Sequence, residues 1–122
     1  MAPAPDDTAV GKQLGRILES PHFRTSKRCQ SLLRYVVEAY LENHSDRVKE
    51  RTIGYEVFQR DPDYDTNHDS VVRTTAAEIR KKLAQYYQEP GHESEIRVVL
   101  QQGSYLPEFR RAPIQPAAPA PP

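Results

Sequence analysis

The chain has 122 residues, with 17 Lys and Arg against 17 Asp and Glu, so it lacks the overall positive charge that marks many nucleic-acid binders. Any such function must rest on a local patch. Its single cysteine, Cys29, excludes an intrachain disulfide, and no run approaches the roughly 18 apolar residues of a membrane span.

The Pro/Ala-rich ends, "MAPAP" and "APIQPAAPAPP", do not read as core. The expected organisation is a disordered tail over 1–9, one folded domain over 10–110, and a Pro/Ala-rich linker or tail over 111–122. That linker suggests an N-terminal module of a longer protein. The start of the chain lacks the basic and apolar regions of a signal peptide, and Cys29 suits a reducing compartment, so the expected location is cytoplasmic.

Val10, Leu14, Ile17 and Leu18 recur at helical spacing, and Pro21 disfavours helical geometry at Ser20, which predicts a short first helix ending at "SPHF". In the next segment Cys29, Leu32, Leu33, Val36, Val37, Tyr40 and Leu41 form one apolar stripe, with Thr25 or Ser26 available as N-cap. This second helix supplies the centre of the core. A third helix follows over "VKERTIGYEVFQR", where Gly54 costs about 1 kcal/mol relative to Ala and so implies a close approach by another helix. The fourth helix, from about Asp69 to Tyr87, turns Val72, Ala76, Ile79, Leu83 and Tyr86 inward.

Beyond it the period changes from helical to two. Ile96, Val98 and Leu100 alternate with Arg97, Val99 and Gln101, "QQGS" supplies a turn in which Gly103 can take positive φ, and "YLPEF" returns. Pro107 has no amide to donate, so the return strand should lie at an edge or end there. The fold class is α+β, mainly α: four helices followed by a C-terminal β-hairpin.

"DPDYDTNHDS" places Asp61, Asp63, Asp65, Asn67 and Asp69 at every second position, the rhythm of a calcium loop. An EF-hand also requires Gly at its sixth position and Glu at its twelfth, and here those are Thr66 and Val72. The residues read instead as turn formers and caps, with Asp69 or Asn67 beginning the fourth helix and Tyr64 tucked beneath. His22, His44, His68 and His92 fall in predicted loops without metal-ligand spacing. With no nucleophile motif, Walker loop or dinucleotide fingerprint, the reading is of a non-enzyme with no cofactor, no metal and no small-molecule substrate.

Taken in order, "LLRYVVEAYLE", "VKERTIGYEVFQRDPDYD", "DSVVRTTAAEIRKKL" and "IRVVLQQGSYLPEF" resemble the winged helix-turn-helix output domain of OmpR/PhoB-type response regulators, over roughly residues 28 to 109. The most specific parts are "IRKKL" at Ile79 to Leu83 and "GSY" at Gly103 to Tyr105. The chain also resembles a domain at the N-termini of larger bacterial proteins. The resemblance implies transcription regulation: the fourth helix would enter the major groove of double-stranded DNA and the hairpin would act as a wing.

Carried across by position, Arg73, Thr74, Thr75, Ala77, Glu78 and Lys81 would face the groove, and Arg80 and Lys82 would reach phosphates. Arg51 and Thr52 would support backbone contacts, while Gln101 and Gln102 would occupy the wing tip. Two positions depart from the family. Glu78 stands where an exposed Arg is common, and Gln101 replaces a wing Arg. These departures, with the neutral net charge, motivate a second expectation: a protein-interaction or self-association module, with a protein partner or homodimer in place of DNA.

Overall fold

A computed structural model of the chain describes residues 5–111. The helices are α1 (Asp7–Glu19), α2 (Pro21–Arg24), α3 (Lys27–Leu41), α4 (Glu50–Phe58) and α5 (Val71–Gln88), and a two-stranded antiparallel sheet follows from β1 (Arg97–Val99) and β2 (Glu108–Arg110). A 3-10 turn, Ser45–Arg47, joins α3 to α4. The expected tail over 1–9 is corrected at its inner end, because α1 begins at Asp7 and is capped by Asp6, which accepts from the Ala9 amide at 2.8 Å. Except for Arg111, the expected linker over 111–122 lies outside the described residues.

Four predicted helices become five because Pro21 both ends one and begins another. Ser20 is extended, with ψ 155°, and its hydroxyl donates to the Ile17 carbonyl at 2.6 Å, closing α1. Pro21 then occupies the first position of α2, where a missing amide costs nothing and its fixed φ suits a helix. That single turn carries Phe23 into the core.

The core lies between α3 and α5. Cys29, Leu32, Leu33, Val36 and Val37 of α3 are fully buried, and they meet Val72, Ala76 and Ile79 of α5. Each large aliphatic side chain so buried contributes about 1.5–3 kcal/mol. Val10, Leu14 and Ile17 of α1 and Ile53 of α4 belong to the same buried cluster. Ser26 caps α3 by accepting from the Cys29 amide at 3.3 Å, as its position in the sequence suggested.

Gly54 does permit a close approach, but the neighbour is a tyrosine ring and not a helix. A Cβ at Gly54 would sit 2.2 Å from the Tyr64 hydroxyl, which donates to the Glu50 carbonyl at 3.3 Å. The aspartate-rich connector thus folds back over α4. Asp69 accepts from the Val71 amide at 3.1 Å and pairs with Arg60 at 2.5 Å, while Asp65 accepts from the Asn67 amide at 2.9 Å. The Arg60 hydrogen bond is the largest influence holding the Asp69 carboxyl below its usual range. These two carboxylates serve backbone and arginine partners.

In the hairpin Arg97 pairs with Arg110, Val98 with Phe109 and Val99 with Glu108. Gly103 takes φ +83° in the loop. The return strand lies at an edge of the two-stranded sheet, as expected beside Pro107, and begins directly after that residue, which keeps the missing amide out of the ladder. The other edge of β1 is closed by a side chain: the Tyr87 hydroxyl accepts from the Val98 amide at 2.9 Å and donates to the Ile96 carbonyl at 2.6 Å. One phenol does there what a neighbouring strand would do.

Candidate nucleic-acid interface

Helix α5 divides its polar side chains among three directions. Opposite the buried Val72, Ile79 and Leu83 run Thr74, Ala77 and Lys81, all exposed and spaced to share one face. Thr75 does not belong with them. It is fully buried, so the groove-facing role expected of it is corrected. Its spacing of three and four from Val72 and Ile79 puts it on the inward stripe, a signal the sequence already carried.

On one flank, Arg80 donates from Nε to the Leu100 carbonyl at 2.7 Å, and from a terminal nitrogen to the carbonyls of Gln101 at 3.0 Å and Ser104 at 3.3 Å. The expected phosphate ligand is therefore a strut that holds the hairpin loop on α5. Nearer the start of the helix, Arg73 pairs with Glu50 of α4 at 2.7 Å and donates to the Thr66 carbonyl at 2.8 Å. It too is engaged inside the fold, although it remains partly exposed.

On the other flank, Lys82 donates to the His22 carbonyl of α2 at 2.8 Å. Glu78 pairs with Arg28 of α3 at 3.2 Å, and the Cys29 thiol lies 3.5 Å from its other oxygen. Burial above all keeps the Cys29 thiol's pKa raised, which leaves the group protonated and unreactive. Arg28 is the residue that the sequence reasoning missed here. It lies fifty positions from Glu78, so no periodicity links the two.

Arg51 is exposed on the first turn of α4, with Thr52 half-buried beside it. No hydrogen bond or ion pair engages Arg51 or Lys81 among the described residues. Both glutamines at the hairpin loop are exposed, but Gln101 donates to Glu108 at 3.2 Å and only Gln102 projects without a side-chain partner. Glu50, also unanticipated, receives both Arg73 and, at 3.5 Å, the Tyr105 hydroxyl.

Between the second half of α5 and β1 runs a groove of about 540 Å³, lined by Arg80, Ala84, Tyr87, Arg97 and Gln102 among others, with no carboxylate in its wall. The Arg97 guanidinium lies 5.3 Å from the centre of the Tyr87 ring. Among the described residues no cluster of His, Cys, Asp or Glu is arranged to hold a metal ion, and no helix is long and apolar enough to cross a membrane. Comparisons with family models, curated proteins and solved structures found no match to this chain.

Proposed function

We propose that the domain binds double-stranded DNA as a winged helix-turn-helix module, with the exposed face of α5 in the major groove and the β-hairpin as the wing. The observation that carries this reading is the charge arrangement around that face. Thr74, Ala77 and Lys81 present no carboxylate, and the acidic residues Glu50 and Glu78 are each paired with a guanidinium, from Arg73 and Arg28. The Arg28 guanidinium offsets part of the Glu78 charge toward a phosphate, and small side chains at Thr74 and Ala77 let the helix backbone approach base edges.

The groove-facing set is then Arg51, Thr74, Ala77, Lys81 and Gln102. Arg73, Arg80 and Lys82 shape the surface from within. The test is fluorescence anisotropy of a labelled mixed-sequence duplex at low and near-physiological salt, with the double variant Arg51→Glu/Lys81→Glu. Both side chains lack internal partners, so the variant should fold normally and lose the salt-dependent binding; replacing one cation alone should lower the slope of log K against log salt by about 1. Arg80→Glu is unsuitable for this purpose because it would dislodge the hairpin.

A second reading, a protein-interaction module, draws on one observation: Tyr55 of α4 is 49% exposed, which leaves a large aromatic side chain at the surface. A flat titration with a folded domain would favour this reading over DNA. Transcription regulation follows only from the first.

A further inference from the structure

At the end of α5 that leads into the hairpin, a polar cluster forms that the DNA reading does not use. Glu95, in the connector before β1, accepts hydrogen bonds from Gln13 of α1 at 2.8 Å, from the Tyr86 hydroxyl of α5 at 2.5 Å and from His92 Nδ1 at 2.5 Å. The His92 ring stacks on Tyr86 with centroids 4.0 Å apart. Its other nitrogen, Nε2, lies 3.4 Å from Glu89. The second Glu89 oxygen is 3.1 Å from His22 Nε2, near but not aligned as a hydrogen bond. Two histidines that seemed scattered in the sequence thus share one carboxylate.

Both ring nitrogens of His92 face carboxylates. A neutral imidazole carries one N–H and would turn a lone pair toward one of them, whereas the imidazolium donates to both. The cluster joins directly to the hairpin, because Ile96 follows Glu95 and its carbonyl, with the Val98 amide, is held by Tyr87. The Gln13 side-chain amide lies 3.4 Å from the Tyr87 hydroxyl as well.

We propose that His92 is a pH-sensitive latch: as the imidazolium it ties the 89–96 connector to α1 and to the end of α5, and its deprotonation loosens the base of the hairpin. The titratable and charged neighbours from each packed element are Glu95 and Glu89, Tyr86 and Tyr87 on α5, and His22 on α2 across Glu89. Arg16 of α1 bonds to Gln13, Lys82 bonds to the His22 carbonyl, and Arg97 of β1 lies over Tyr87.

The electrostatics of the cluster agree with its geometry. Hydrogen bonding to Glu95, more than any other influence, raises the His92 pKa above its ordinary value. For Glu95, burial pushes upward, but the bonds from His92, Tyr86 and Gln13 prevail and hold the carboxyl below its usual range. A raised histidine value means that the stabilisation is complete below the unfolded pKa of about 6.5 and is lost as pH rises through the higher folded value. On the Glu95 side it is lost only as pH falls through the depressed carboxyl value. The latch is closed between those limits.

The test is an NMR titration of the whole domain from about pH 5.5 to 8.5, following the His92 ring and the amides of Val98 and Phe109. The His92 midpoint should lie above about 6.5, the hairpin amides should move with that same midpoint, and Val98 amide exchange, corrected for its intrinsic pH dependence, should quicken above it. His92→Gln should abolish the hairpin titration and His22→Gln should leave it in place. Hairpin amides that ignore His92, or that follow His22, would overturn the proposal, as would a His92 midpoint at or below the ordinary value. The wild-type comparison of midpoints decides the matter even if His92→Gln fails to fold, and no DNA is needed at any step.

Discussion

Arg80 and Lys82 stand two positions apart on α5 and reach in opposite directions, the first to three carbonyls of the hairpin loop and the second to one carbonyl of α2. Lys81 lies between them in sequence and points to solvent. Three adjacent cations therefore divide into two internal ties and one free charge. The comparison teaches that a basic run on a helix is not a basic face, because a rotation of about 100° per residue sends consecutive side chains to different surroundings. The hairpin flank also holds more than the α2 flank: a guanidinium with several fixed donors can bridge a loop, where an ammonium meets one acceptor at a time.

The largest effect should separate the two ties. Arg80→Ala removes a charged donor from three carbonyls and should cost about 1.5–3 kcal/mol, felt mainly as lost amide-exchange protection in β1 and β2. Lys82→Ala should cost less and leave the hairpin amides protected. Equal losses, or a hairpin unaffected by Arg80→Ala, would break the contrast.

A smaller effect tests the connector side of α4. Gly54→Ala should gain about 1 kcal/mol of helix propensity but force out the Tyr64 ring, so in the native background it should destabilise. Placed on Tyr64→Ala, the same change should become stabilising by up to about 1 kcal/mol. Chemical denaturation of the four proteins of that cycle gives the answer, and additivity would mean that the ring does not occupy the space.

The smallest effect on stability concerns Arg28 and Glu78. An ion pair this exposed is worth under about 1 kcal/mol, so Arg28→Ala should barely move the denaturation midpoint. Under the DNA-binding proposal it should nevertheless weaken duplex binding, since it leaves the Glu78 carboxylate unpaired beside the residues proposed to face the groove. Restored binding in Arg28→Ala/Glu78→Ala would tie the loss to that carboxylate. Unchanged binding in Arg28→Ala would remove the role given to this pair.

Much of the local architecture was legible in the residues. The stripe from Cys29 to Val37, the Ser26 cap, the turn at Gly103 and the aspartates as a connector follow from short-range rules, in which a side chain and its partner lie within a turn or two, whereas Tyr40, expected on the same stripe, is exposed, and the N-cap of α5 is Ser70 in place of Asp69 or Asn67. The burial of Thr75 is legible too: its spacing from Val72 and Ile79 places it on the inward stripe, whatever its position in a resembling family implies. The α2 turn is less legible, because Pro21 signals a helix stop in the sequence and is equally suited to begin a helix.

The four longer helices, most of the apolar core and the change to a hairpin were determined by the sequence alone, because the period of apolar residues and the backbone needs of Gly, Pro and Ser act within a few positions. Tertiary structure alone decided the partners of the long polar side chains: Arg80 with Leu100, Glu78 with Arg28, Lys82 with His22, and His22 with His92 about Glu89. A lysine or arginine can reach many acceptors within its length, and only the packing of distant helices selects which acceptor is there. That selection separates the residues left free to meet a ligand from those that hold the surface in shape.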